Sequence, residues 1–95
     1  MQTLKLVKIG APWCGPCSTL DKSIAESKEI KYVEYIKEDL DSMNPDEVQK
    51  LKVRGVPTLI LFSGETEVQR KTGSMTTSQF DEWIKQGRNV TLTQG

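Results

Sequence analysis

Two cysteines separated by two residues, Cys14 and Cys17, are the side chains of this 95-residue protein best suited to chemistry. They lie in the run Trp13-Cys14-Gly15-Pro16-Cys17, and the chain has no other cysteine and no histidine. This spacing lets two sulfurs meet across one turn at the start of a helix. The pair can then cycle between dithiol and disulfide with little backbone movement, which predicts redox chemistry.

Other roles for a cysteine pair are less well supported by the composition. A structural zinc site needs four Cys or His ligands, and two cysteines without a histidine cannot complete one within a single chain. A structural disulfide would close a very short loop and gain little chain entropy. A redox-active dithiol is therefore the favoured interpretation and no metal is expected, although zinc shared between subunits and a pair without a role stay open.

The position of each cysteine predicts its role. A thiolate is the species that attacks a disulfide, and Cys14 lies at a predicted helix start, where free N–H groups and the helix dipole favour negative charge. We expect Cys14 to be the more exposed sulfur and the nucleophile. Cys17, one turn later, is expected to be buried and to resolve the mixed disulfide. Gly15 allows a partner's backbone to approach, and Pro16 stiffens the turn.

Hydrophobic periodicity and turn residues predict the elements that position this pair. In chain order they are a strand over Thr3–Ile9, a helix from Cys14 to about Ser27, a strand over Ile30–Lys37, a short helix over Pro45–Leu51 capped by Asn44, a buried strand over Val56–Phe62, an edge strand over Thr66–Lys71, and a helix that starts at a Thr76–Gln79 capping box and ends at Gly87. A strand–helix–strand start implies a parallel pair with a right-handed crossover. The order β-α-β-α-β-β-α predicts an α/β fold with a four-stranded mixed sheet and helices on both faces. Residues 1–87 would form the domain, and residues 88–95 a polar C-terminal tail.

Composition limits the partners. The 13 basic and 13 acidic residues cancel, and no block of like charge indicates nucleic acid or an anionic membrane. No apolar run approaches the roughly 20 residues of a membrane-spanning helix, and the N-terminal alternation is not that of a signal peptide. We expect a cytoplasmic protein.

Two segments resemble the thioredoxin family. The run from Ala11 to Cys17 is similar to its active-site segment, and Val53-Arg54-Gly55-Val56-Pro57-Thr58-Leu59 is similar to its second landmark. The resemblance implies a thioredoxin fold that lacks the extra N-terminal strand and helix of full-length thioredoxins. It also implies a cis peptide bond before Pro57, facing the dithiol. A substrate would lie extended against Val56, beside Trp13 and Gly73, and would bind by strand addition.

The resemblance further implies reduction of protein disulfides. Electrons would come from NADPH through a separate thioredoxin reductase, with no cofactor bound to this chain, which is expected to be a monomer. A glutaredoxin-like, glutathione-dependent reductase is an alternative that the small size favours. The Gly15-Pro16 pair and Gly73-Ser74 count against it. A binding or assembly subunit that uses the fold without thiol chemistry is a further alternative.

One position departs from the family. Lys8 occupies the place of the family's buried aspartate beneath the dithiol, and Tyr35 falls where the family has a neighbouring lysine. A buried Lys8 could be a neutral amine that accepts the proton of Cys17, whereas a charged Lys8 would stabilise a thiolate instead. The favoured prediction is instead that the Lys8 stem crosses the core and places its ammonium in water.

Overall fold

The computed structural model describes residues 4–94, which form one mixed sheet and three α-helices. The elements are β1 (Leu4–Gly10), α1 (Gly15–Ala25), β2 (Glu34–Asp39), α2 (Pro45–Leu51), β3 (Thr58–Ser63), β4 (Thr66–Thr72) and α3 (Thr77–Gln94), with single 3₁₀ turns at Ile30–Tyr32 and Leu40–Ser42. The strand order is β2-β1-β3-β4. The β1–β2 pair is parallel, and the β1–β3 and β3–β4 pairs are antiparallel. The predicted four-stranded mixed sheet is confirmed.

Alternation along the strands places the core on both faces of the sheet. Leu4 and Leu6 of β1 point to the face covered by α1 and α3, while Val7 and Ile9 point to the opposite face. The first face holds the larger core, whose buried members also include Leu20, Ile24, Leu59, Leu61, Met75, Phe80 and Ile84. The second face is covered by Leu51 of α2 and its flanking segments. Helices on both faces are therefore confirmed.

The last helix starts as predicted but does not end as predicted. The Thr76 N–H donates to Gln79 Oε1 at 2.9 Å, and the Gln79 N–H donates to Thr76 Oγ1 at 3.2 Å, which is the reciprocal pattern of a capping box. The predicted end at Gly87 is wrong, because α3 continues to Gln94. Gly87 is buried, and a Cβ there would overlap Leu61 Cδ2. This glycine lets the helix approach the sheet. The division into a domain over 1–87 and a tail over 88–95 stays a prediction.

The second and third strands start later in the chain than predicted. Ser27 Oγ accepts the N–H groups of Glu29 and Ile30, which fixes a turn before β2. The second strand therefore starts at Glu34 rather than at Ile30 and extends to Asp39. The third strand starts at Thr58, after a cis peptide bond, rather than at Val56. Thr3, the first residue of the predicted first strand, lies outside the described residues. Within residues 4–94, no helix is long and apolar enough to cross a membrane.

Candidate active site

Strand register brings the separate sequence segments to one end of the sheet. Ile9 of β1 pairs with Thr58 of β3, and Thr58 pairs with Thr72 of β4. On the other side, Gly10 pairs with Asp39, the last residue of β2. The loop that follows β1, the residues before β3 and the residues after β2 and β4 therefore all emerge at this end.

The two cysteines lie at the start of α1 and form a disulfide. Cys14 is the N-cap, with extended backbone angles (φ −97°, ψ 108°), and its Cα lies 5.3 Å from that of Cys17. The Cys17 N–H donates to Cys14 Sγ at 3.2 Å. Cys14 is 8% exposed and Cys17 is 3% exposed, which is the predicted order although both residues are buried. The same N–H group and the positive end of the helix dipole would stabilise a Cys14 thiolate.

The two residues between the cysteines lie at the protein surface. Gly15 and Pro16 are both exposed and form the first positions of α1. A Cβ at Gly15 would meet no atom within 4 Å. Pro16 costs no hydrogen bond in the first helical turn, where the backbone N–H has no intrahelical partner. The predicted roles of Gly15, which would admit a partner's backbone, and of Pro16, which would stiffen the turn, stay predictions.

Trp13 lies on the surface beside the dithiol. Its side chain is 67% exposed, and Nε1 donates to Asp41 Oδ2 at 3.0 Å. The Asp41 N–H donates in turn to Asp39 Oδ1 at 2.9 Å, so the turn after β2 fixes the carboxylate that orients the indole. Asp41 was not among the residues predicted for the site. Its only signal in the sequence was its place in an acidic loop, which is not specific.

The predicted substrate residues after α2 and β4 meet through a backbone contact. The Val56–Pro57 peptide bond is cis, as the family resemblance implied. The Gly73 N–H donates to the Pro57 carbonyl at 2.9 Å, with Gly73 at φ +101°, a conformation that favours glycine. Among residues 4–94, the backbone N–H and C=O of Val56 pair with no other backbone group. Val56 therefore offers one free donor and one free acceptor at this edge.

Lys8 is buried beneath the dithiol and its amine is paired. The residue is 4% exposed, and Nζ lies 2.5 Å from Asp21 Oδ1 on α1. The favoured prediction of an ammonium in water is therefore wrong, because the Lys8 stem ends on a carboxylate rather than in solvent. Asp21 follows Cys17 by one helical turn of α1. The sequence offered no signal that it would face Lys8.

Tyr35 lies on the same face of the sheet as Lys8. It pairs in register with Leu6, and it packs against the larger core. Burial, with a smaller contribution from the Asp21 carboxylate, raises the pKa of Tyr35 from 10.0 to about 12. Its phenol is thus neutral across the ordinary pH range. Lys37 pairs in register with Lys8, and its Nζ lies 3.7 Å from Asp21 Oδ2.

A cavity of about 430 Å³ opens from the dithiol and the Lys8–Asp21 ion pair to the protein surface. Its lining includes Cys14, Cys17, Lys8 and Asp21, with Lys37, Glu38 and Asp39 on the β2 side. Within the part of the chain that the structure describes, no group of three or more Cys, Asp or Glu side chains is placed to hold a metal ion. The arrangement can perform dithiol–disulfide exchange, with water able to reach both sulfurs and the ion pair.

Comparisons with known proteins agree with this geometry. The thioredoxin family model matches residues 1–86. Thioredoxin C-3 of Corynebacterium nephridii is 35% identical over 82 residues, which are 85% of this chain but only 56% of that relative. The thioredoxin of Chlamydia muridarum is 41% identical over 71 residues, covering 74% of this chain and 69% of the relative. The structure of Fasciola hepatica thioredoxin is similar with a TM-score of 0.76 and 33% identity, covering 90% of this chain and 82% of that one. This chain belongs to the thioredoxin family.

Proposed function

We propose that this protein is a thiol–disulfide oxidoreductase that reduces protein disulfides through Cys14 and Cys17. The observation that carries the proposal is the disulfide at the start of α1, where the Cys17 N–H donates to Cys14 Sγ. Thioredoxins are protein-disulfide oxidoreductases, and membership of that family supports the same activity here.

The reaction proceeds in two exchanges. The Cys14 thiolate attacks one sulfur of the substrate disulfide, and the other substrate sulfur leaves as a thiolate that takes a proton from water. Cys17 then loses its proton and attacks Cys14 Sγ in the mixed disulfide, which releases the second substrate sulfur as a thiolate. The substrate gains two electrons, and the protein ends as the Cys14–Cys17 disulfide. The nucleophilic role of Cys14 is supported by its N-cap position and its slightly greater exposure.

The substrate segment would bind as an added strand beside the dithiol. Val56 offers an unpaired N–H and C=O, and main-chain bonding of this kind gives affinity with little sequence preference. Pro57 and Gly73 would lie beside the bound segment, and the hydrogen bond from the Gly73 N–H to the Pro57 carbonyl holds them together. The exposed Trp13 ring supplies an apolar surface for the same segment.

The electron source lies outside this chain in our proposal. NADPH would supply electrons through a separate thioredoxin reductase, and no cofactor would be bound here. The partners would be that reductase and disulfide-containing proteins, with the chain acting as a cytoplasmic monomer. Family membership supports a reductase and disulfide substrates in general terms.

Insulin reduction in two parallel systems tests the proposal. One system contains NADPH and thioredoxin reductase, and the other contains glutathione and glutathione reductase. We expect turnover in the first system and its loss in the Cys14→Ser, Cys17→Ser variant. Turnover only with glutathione would favour a glutaredoxin-like activity. No turnover in either system, with biological activity retained by the double variant, would favour a binding subunit.

A further inference from the structure

Lys8 is an unusual residue to find inside this protein. Among the described residues that are buried, it is the one with a charged side chain. It follows Leu4 and Leu6 on the face that packs against α1 and α3, where a third aliphatic residue would fit the pattern. A buried ion pair often contributes no more stability than apolar residues of similar size, because both charges lose their hydration. The position therefore calls for a reason other than stability.

The amine of Lys8 lies next to the resolving cysteine. A Cβ built on Gly10 would be 3.2 Å from Lys8 Nζ and 3.3 Å from Cys17 Sγ. Because both atoms lie close to this one position, the distance between Lys8 Nζ and Cys17 Sγ cannot exceed the sum of these two distances. Gly10 has no side chain to separate them. The same cavity is lined by Lys8, Cys17 and Asp21, and the Asp21 side chain is 37% exposed, so water can reach the site.

The charged groups around Cys17 have both signs, and the Lys8 ammonium is the positive charge that is shielded from solvent. The other charged or titratable residues that line the cavity are Cys14 and Asp21 on the α1 side and Lys37, Glu38 and Asp39 on the β2 side. Tyr35 lies near enough to Asp21 for that carboxylate to raise its pKa. On the β3 side, Lys8 pairs with the fully buried Leu59, which is apolar. The Asp21 carboxylate lies between two ammonium groups, at 2.5 Å from Lys8 and 3.7 Å from Lys37. Lys37 is 60% exposed and screened by water, whereas Lys8 is shielded from solvent.

We propose that the Lys8 ammonium stabilises the Cys17 thiolate during the second exchange, and that Asp21 is the positioning residue that holds this ammonium in place. This inference rests on the proposed function. In the step concerned, the Cys17 thiol gives its proton to water in the cavity. The resulting thiolate forms the bond to Cys14 Sγ while the bond from Cys14 to the substrate sulfur breaks. The electron pair leaves on the substrate sulfur, which is protonated by solvent, and no further reactant is required.

Reaction of the reduced protein with the aromatic disulfide dithiobis(nitrobenzoate) isolates this step. Attack by Cys14 releases one coloured thiolate, and attack by Cys17 on the mixed disulfide releases a second. In Lys8→Met, we expect the midpoint of the pH profile of the second phase to rise by about one to two units. The rate of that phase at neutral pH should fall roughly three- to tenfold. This fall is smaller than the loss of thiolate, because the thiolate of a less acidic thiol is also more nucleophilic. The first phase should change less.

Two further variants separate electrostatics from folding. Lys5→Met makes the same substitution on the opposite face of β1 and should leave both phases unchanged. Lys8→Met combined with Asp21→Asn leaves no unpaired carboxylate that could itself disfavour the Cys17 thiolate. Its second phase should still be slower than that of the wild type, and a second phase as fast as that of the wild type would refute the role of Lys8. If the wild type releases both thiolates but neither Lys8 variant shifts the second pH profile, the role of Lys8 is refuted and the proposed function stands. If the wild type fails to release both thiolates, the proposed function itself fails.

Discussion

We predict that Gly87→Ala destabilises the protein, although alanine is the better helix former. Gly87 lies inside α3, which continues to Gln94, so helix propensity alone would favour alanine by about 1 kcal/mol. The packing opposes this gain. The new Cβ would overlap Leu61 Cδ2 and approach Gln69 Nε2 to 2.8 Å. The sign of the measured change therefore reports which effect is larger.

Neither neighbour of the new methyl group can move away at low cost. Leu61 is 0% exposed and is packed within the larger core. Gln69 Nε2 donates to the Trp83 carbonyl at 2.5 Å, so moving its amide weakens that hydrogen bond. Overpacking costs about 1–3 kcal/mol, and a weakened hydrogen bond adds roughly 0.5–1.5 kcal/mol. After the propensity gain is subtracted, we expect a net loss of about 0.5–3.5 kcal/mol, centred on ~2 kcal/mol, and a Tm lowered by roughly 4–8 °C for each kcal/mol lost.

Urea denaturation followed by circular dichroism measures this loss, and two comparisons identify its cause. Gly15→Ala provides a matched control, because a Cβ at Gly15 meets no atom within 4 Å and should change the free energy of unfolding little. In a Leu61→Val background, which removes the overlapping methyl group, the cost of Gly87→Ala should shrink by about 1 kcal/mol. A stabilised Gly87→Ala protein, or strictly additive effects in this cycle, would refute the packing described for α3.

Two further predictions concern the site. Asp41→Ala removes the acceptor of the Trp13 indole N–H; we expect a KM for a protein disulfide about two- to fivefold higher, with the free energy of unfolding changed by less than about 0.5 kcal/mol. An unchanged KM would show that Trp13 needs no such orientation. Burial raises the pKa of Tyr35 from 10.0 to about 12, so its contribution to stability is complete below pH 10 and is lost as pH rises toward 12. Tyr35→Phe should flatten the fall in unfolding free energy across that range, and parallel curves for the two proteins would contradict this.

Features that depend on local chemistry were predictable from the sequence. The capping box of the last helix needs only Thr76 and Gln79 at the right spacing, and both hydrogen bonds are present. The position of the cysteine pair at a helix start, with Pro16 in the first turn, was likewise predictable from residue types and spacing alone. The cis bond before Pro57 was predictable only through the family resemblance, since most prolines follow a trans bond.

Features that depend on how elements pack were not predictable. A glycine near the end of a helical pattern is typical of a helix terminus, and nothing local to Gly87 shows that Leu61 lies opposite it. The pairing of Lys8 with Asp21 likewise depends on the placement of α1 over β1. From the sequence alone, a lysine near the end of a strand is more readily interpreted as reaching solvent.

Trapping of the mixed disulfide tests whether Cys14 is the nucleophile. The Cys17→Ser and Cys14→Ser proteins would each be incubated with native insulin, whose disulfides are intact, and non-reducing mass spectrometry would locate any adduct. We expect a stable disulfide between Cys14 and an insulin chain in Cys17→Ser, because the resolving thiol is missing. The Cys14→Ser protein should form little or none. An equal adduct through Cys17, or no adduct in either variant, would contradict the assignment of Cys14 as the nucleophile.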